Sequence, residues 1–321
     1  MQEPMPSLLN SRSLQEWMAA LDSLMDGDAF IFQLIGLGPP AIPVLAHHLL
    51  ATRPRTVALP RCRTARALGT LGARQELMAY FRDFHRPEDP AALLAEDAVR
   101  STVAEELAHW KSDDVYQTLL TAAQDRMTGG LIRALSSFKS DENIPVFFAA
   151  LDDDFCRIEA TNALRQVPYP ARAYALLYLR GLTGESRCMP STRYRRRVAV
   201  QLLREFGVSP EAWPMLRPFL DDEDTDTVIA TAAIGFQIGD PIDRPLLVQR
   251  LFTISSHPNC IQEDDILELL EAQQDTARDC ARQLQAEAIA RGERPDWLVP
   301  RWRLIWHFTD HAPNQQDKSD C

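Results

Sequence analysis

The 321 residues carry 34 Lys and Arg against 45 Asp and Glu, a formal net charge of −11, with 45% hydrophobic and 25% charged residues. Such a composition excludes wholesale disorder, and the acidic balance argues against a general nucleic-acid binder, which needs clustered cations to neutralise phosphate. No run approaches the roughly 18 to 20 apolar residues of a membrane span, and Met1-Gln-Glu-Pro-Met-Pro lacks the basic and apolar regions of a secretory signal, so a cytoplasmic protein is expected.

In chain order, Leu14, Trp17, Met18, Leu21, Leu24 and Met25 recur at helical spacing, which predicts a capping helix within residues 1–29. The chain then aligns on itself. Ala67-Leu-Gly-Thr-Leu-Gly72 followed by Ala73-Arg-Gln-Glu-Leu77 reads as a helix end, a short turn and a helix start. Similar junctions begin near Gln33, Glu106, Ala134, Ala163, Leu202 and Ala233, at intervals of 28 to 39 residues that bracket a two-helix unit. Six residues before an anchor stands an arginine in four cases, Arg61, Arg100, Arg157 and Arg196. After an anchor a proline opens an apolar run in four cases, at Pro43, Pro145, Pro214 and Pro245. Proline lacks an N–H and has a helical φ, so it suits a first helical turn and marks where the first helix of a hairpin begins. The arginines lie on one helical face with a small residue such as Ala160 or Ala199, placed to bond a turn carbonyl or a carboxylate of an adjacent repeat.

These marks resemble the HEAT-repeat family, in particular the phycocyanobilin-lyase-type HEAT-like units. The similarity rests on Asp153-Asp-Phe-Cys-Arg157-Ile-Glu-Ala160-Thr-Asn-Ala163-Leu164 and on Ile42-Pro43-Val-Leu45. It implies an all-α fold, a right-handed α-α superhelix of about six to seven helical hairpins with helical caps, used for partner binding. The units are expected over 30–255, capping helices over 256–311 and a flexible tail over 312–321. The segment Arg82–Leu94 departs from the pattern.

Three acidic runs punctuate the repeats: Asp152-Asp153-Asp154, Asp221-Asp222-Glu223-Asp224 with Asp226, and Glu263-Asp264-Asp265. The first two fall on the turn inside a hairpin, where stacking would gather them into an acidic edge. Asp152, Asp153, Asp154, Asp221, Asp222, Glu223, Asp224 and Asp226 are therefore the candidate partner-binding residues, although an Asp that opens a helix also caps it. Between the two runs, the loop from Gly181 leads into a basic helix start with Arg187, Arg193, Arg195, Arg196 and Arg197, read either as a contact for phosphate or an acidic partner or as a solvated face that pairs with neighbouring acidic turns. Asp264–Arg291 reads as one long amphipathic helix. Trp297–Phe308, which holds half of the six tryptophans, reads as a hydrophobic plug closing the last repeat.

Chemistry is sparse. The six cysteines, Cys62, Cys156, Cys188, Cys260, Cys280 and Cys321, show no Cys-x-x-Cys spacing, so reduced structural thiols are expected. Gly36-Leu-Gly38 and Gly129-Gly130 lack the Lys-Ser of a phosphate loop, and neither a Gly-x-Ser-x-Gly elbow nor His-Glu-x-x-His occurs. His47-His48 reads as structural. Deoxyhypusine hydroxylase, an enzyme of HEAT architecture, binds iron through His-Glu dipeptides, and this sequence has none. HEAT-like alkylpurine DNA glycosylases need a basic concave surface, and Trp110-Lys-Ser-Asp-Asp114 on an acidic chain offers none. Carboxylates on wet turns do not separate their pKa values as an acid–base pair must.

The expectation is thus no enzyme, no catalytic residue, no metal and no cofactor, but a cytosolic inhibitor, immunity-type protein or adaptor. Its partner is expected to be a basic protein, such as a secreted toxin or nuclease, not nucleic acid or membrane. The alternative is a HEAT-like lyase or other small-molecule-binding subunit, or a structural adaptor of a larger assembly.

Overall fold

The computed structural model describes residues 14–50, 56–83, 86–182, 189–256, 262–294, 296 and 298–309. Among them every regular element is a helix. The longer ones are α1 (Leu14–Asp22), α2 (Gly27–Leu37), α3 (Ile42–Leu50), α4 (Leu59–Thr70), α5 (Arg74–Arg82), α6 (Pro90–Leu107), α7 (Asp113–Asp125), α8 (Gly129–Ser136), α9 (Ile144–Ala150) and α10 (Arg157–Arg165). They continue as α11 (Pro168–Gly181), α12 (Arg193–Phe206), α13 (Trp213–Leu216), α14 (Thr225–Ile238), α15 (Arg244–Ile254), α16 (Glu263–Glu271), α17 (Gln274–Ala290) and α18 (Pro300–Thr309). They form two compact units, divided between Val167 and Pro168. No described helix is long and apolar enough to cross a membrane.

In the first unit, neighbours pair as hairpins: α1 with α2, α3 with α4, α5 with α6, α7 with α8, α9 with α10. Odd helices pack on odd (α1–α3–α5–α7) and even on even (α2–α4–α6–α8–α10), which makes two layers. Links from an odd to an even helix therefore run along one edge, the hairpin-turn edge, and links from even to odd along the other. The second unit follows the same scheme, with α11 on α12, α12 on α14, α14 on α15 and α16, and α17 and α18 covering α15.

The repeat marks explain this order. Every anchor residue lies in an even-numbered helix, and Pro43, Pro145, Pro214 and Pro245 each sit in the first turn of an odd one. A one-turn 3-10 segment precedes each of those four helices, so the chain enters α3, α9, α13 and α15 in the same way. The marked arginines tie helix ends together. Arg61 donates to the Leu49 carbonyl at the end of α3, Arg157 to that of Leu151 just past α9, and Arg100 to that of Ala122 in α7. Arg61 and Arg157 thereby serve carbonyls at the very ends of helices, while the Ala122 carbonyl accepts from Arg100 in addition to the Arg126 amide. Arg61 also pairs with the buried Glu96, which accepts from the Tyr80 hydroxyl.

Small residues set the spacing within the layers. A Cβ on Gly130 of α8 would meet the Ser101 backbone of α6 at 2.4 Å, so only glycine permits this approach. Gly72 and Gly207 close α4 and α12 at φ +73°, a conformation other residues rarely adopt. Buried His48 joins two hairpins. Its Nε2–H donates to Asp22 at 3.0 Å, and with that proton placed, Nδ1 accepts from Thr64 Oγ1 at 2.8 Å. Burial first, then the charges of Arg61 and His47, hold its pKa down to about 4.

One expectation needs revision at the C-terminal end. The long helix over Asp264–Arg291 is broken at Ala272 and Gln273 into α16 and α17, at a point with no proline or glycine and no change of apolar phase. In the Trp297–Phe308 segment, Trp297 lies outside the described residues, as do 312–321. Trp302, Leu304, Ile305, Trp306 and Phe308 are buried, with Phe308 edge-on to Phe252 of α15 at 6.2 Å, the packing of a plug.

Candidate interaction edge

The two acidic runs, read as alike from the sequence, belong to different units and have different surroundings. In the second unit Asp222 and Asp224 are withdrawn from water, with side chains 1% and 0% exposed. Arg196 forks onto Asp222, Nε to Oδ2 at 2.7 Å and Nη2 to Oδ1 at 3.0 Å, and it also donates to the Met189 carbonyl at 2.8 Å. Asp224 accepts from Arg193 Nε at 2.8 Å, Arg197 Nε at 3.0 Å and the Thr227 amide at 3.0 Å, the last capping α14. Burial alone would raise the Asp224 pKa, but the hydrogen bonds from Arg197, Arg193 and Thr227 outweigh it and hold the carboxyl at about 2. Asp226 pairs with Arg197 at 2.7 Å, and Asp221 with Arg250. Glu223 is exposed. Arg193, Arg196 and Arg197 of the basic patch and Asp222, Asp224 and Asp226 of the acidic run therefore form one network. Arg187 lies outside the described residues.

In the first unit, Asp152, Asp153 and Asp154 are all exposed on the link from α9 to α10. Asp154 pairs with Arg157 while remaining 80% exposed. Asp153 Oδ1 accepts from the Phe155 amide at 2.8 Å, an Asx turn that fixes the backbone there, and the Phe155 side chain is 83% exposed. The expectation of solvated runs thus holds here and fails at Asp222 and Asp224, where arginines of α12, one repeat upstream, close over the carboxylates.

Apolar exposure follows the same edge. Leu24 and Met25, Val57 and Leu59, Leu94, and Phe155 with Ile158 are exposed beside four of the five odd-to-even links of the first unit, the α7–α8 link being the exception, while exposed Phe32 lies mid-helix in α2. The opposite edge shows no exposed large apolar side chain among its described residues. There Phe138 is covered by Tyr116, with ring centroids 5.3 Å apart, and by the Lys111 ammonium at 4.6 Å. The sequence reading missed this stripe, whose local signal was a phenylalanine directly after an acidic run.

Beside Phe155 the edge opens into a cleft of about 210 Å³ between Leu94 and Ala98 of α6, the link residue Met127, and the α9–α10 turn. Its charged wall is the Arg126–Asp97 pair, Nε to Oδ1 at 2.6 Å. Cys156 also lines it. Burial, followed by the charges of Asp153, Glu159 and Asp97, pushes the thiol up to about 11, so the sulfur is a neutral apolar surface and not a nucleophile. A second cleft of about 390 Å³ lies between α5 and α7, lined by Phe81, Arg82, Arg100, Thr121 and Asp125. Among the described residues no three His, Cys, Asp or Glu side chains converge as metal ligands. Cys62 and Cys156 are buried and Cys280 is partly so; Cys188, Cys260 and Cys321 lie outside the described residues.

No family model and no curated protein matches the chain. Among solved structures, human deoxyhypusine hydroxylase in complex with glycerol is similar over 86% of this chain and 99% of its own, with 18% identity and a TM-score of 0.31. The expectation of a protein that is not an enzyme is corrected on this finding, because the neighbour is by name a hydroxylase and a helical-repeat reading does not exclude catalysis. At this TM-score the likeness carries no activity, cofactor or site to this chain.

Proposed function

We propose that the chain binds a basic protein partner through the hairpin-turn edge of its first unit. The observation that carries this reading is the α9–α10 turn, where exposed carboxylates stand next to exposed Phe155 and Ile158 on an edge that repeats the exposed apolar theme at other links. Carboxylates at a rim steer a cationic partner and set its orientation, while apolar side chains supply the burial that holds it. Asp152, Asp153 and Asp154 contribute directly, whereas Asp222, Asp224 and Asp226 serve the fold of the second unit. An inhibitor of a basic secreted toxin and an adaptor in a larger assembly would use this surface alike. Capture from lysate of the native host, comparing the wild type with the Asp152→Ser, Asp153→Ser, Asp154→Ser variant, tests the proposal. Basic proteins retained by the first and lost by the second are expected; identical recovery contradicts it.

A small-molecule-binding subunit is the second reading, favoured by the 390 Å³ cleft, whose volume is within the usual range of ligand sites. Mass spectrometry of the freshly purified protein under native conditions distinguishes it by a bound mass.

A further inference from the structure

We infer that the cleft beside Phe155 receives one large apolar side chain of a cationic partner segment, with a flanking arginine or lysine of that segment placed on Asp153. The inference rests on the partner-binding reading above and adds what the partner must present. The first support is size. About 210 Å³ is below the roughly 300 Å³ at which pockets for drug-sized ligands begin, yet above the ~150 Å³ that suffices for a benzene ring. The cleft therefore suits a single phenyl or branched aliphatic group.

The second support is chemistry. Leu94 and Phe155, 60% and 83% exposed, stand at the mouth, with Ala98, Met127 and the neutral Cys156 thiol further along the lining. An apolar guest covers Leu94 and Phe155 together, and methionine adapts to guests of different shape. The Arg126–Asp97 pair is closed on itself, so it offers a guest anion no open guanidinium fork. Asp153, by contrast, is an exposed carboxylate whose Oδ1 takes the Phe155 amide, and Asp152 and Asp154 flank it. The charge at the rim is negative, which selects a cation beside the apolar anchor and disfavours an acidic segment.

The cleft also has a rigid frame. Gly130 draws α8 onto Ser101 of α6, Thr128 caps α8 through the Leu131 amide, and the Asx turn fixes Phe155 from the other side. A site framed this way loses little conformational freedom when filled.

The test uses the full chain and four fluorescent peptides, alike except at one central position flanked on both sides by arginine and glycine. That position is Phe, Leu, Ala or Ser, and anisotropy gives the Kd of each. The Phe and Leu peptides are expected to bind at least tenfold more tightly than the Ala and Ser peptides, and to shift the Met127 methyl resonance. Phe155→Ala should abolish that preference. Ala98→Trp, an exposed position at which added bulk fills the cleft without touching the core, should abolish it too, with the melting temperature unchanged. Equal affinity for all four peptides, lost only with Asp152→Ser, Asp153→Ser, Asp154→Ser, overturns the cleft but leaves the acidic-edge reading standing. Tight Phe and Leu binding that leaves Met127 unshifted or survives Ala98→Trp also overturns the cleft. Binding of none of the four contradicts both.

Discussion

Two runs of aspartate on equivalent hairpin turns differ in which arginines can reach them. Arg193, Arg196 and Arg197, at the start of α12 one repeat upstream of the run at 221–226, close over Asp222, Asp224 and Asp226. The corresponding helix one repeat upstream of the run at 152–154, α8, opens Gly129-Gly130-Leu131-Ile132 without such a cluster of arginines, so these carboxylates stay exposed, with Asp154 paired only at the surface with Arg157. Charge density along a sequence therefore does not identify a binding edge; what matters is whether the neighbouring element supplies counter-charges.

The largest test of this contrast is stability. Asp222→Ala strands Arg196, whose side chain is 2% exposed, and removal of one partner from a buried pair costs about 3–5 kcal/mol. Asp153→Ala should cost no more than about 0.5 kcal/mol, as exposed substitutions do. Urea denaturation of both variants measures the difference, and similar losses would break the contrast.

Acid sharpens it. His48 has a folded pKa of about 4 against an ordinary 6.5, so the unfolded chain binds the proton first and stability falls as pH drops from 6.5 towards 4, by about 3 kcal/mol in total. Asp224, held at about 2 against 3.8, adds a loss of about 2 kcal/mol as pH falls further, from 3.8 towards 2. Denaturation midpoints at about pH 7, 5, 4 and 2.5 should decline for the wild type, while His48→Gln flattens the upper part of that decline. The lower part should be absent in Asp224→Asn.

A smaller effect concerns the frame of the exposed run. Gly130→Ala forces a methyl against the Ser101 backbone and should cost about 1–3 kcal/mol, the usual penalty of overpacking, with a lowered thermal midpoint. Gly36→Ala, with open space around the added carbon, should leave that midpoint in place or raise it slightly.

Much of the fold was legible because helix ends recur with their own chemistry. Pro43, Pro145, Pro214 and Pro245 mark first turns, and Arg61 and Arg157 mark where terminal carbonyls wait. The break at Ala272 was not legible, since no residue there disfavours a helix and the apolar stripe continues through it. The closure of Asp222 and Asp224 by Arg193, Arg196 and Arg197 was half legible. Patch and run were both noticed, and their separation of 26 to 31 residues is one repeat, the offset also found at Arg126–Asp97 and Arg133–Glu105. Searching for opposite charges one repeat apart would have joined them. The cleft was illegible, because it arises where α6, the α7–α8 link and the α9–α10 turn meet, residues up to two repeats apart in sequence.

The exposed run is proposed to recognise cations, while the enclosed run holds the fold. The most direct measurement is the association rate of the Phe-centred arginine peptide at low and high salt, for the wild type and for Asp152→Ser, Asp153→Ser, Asp154→Ser. The predicted result is an association rate about tenfold lower at low salt that converges with the wild type at high salt, with an unmoved melting temperature. An unchanged rate at low salt, or a loss that tracks unfolding, would contradict it.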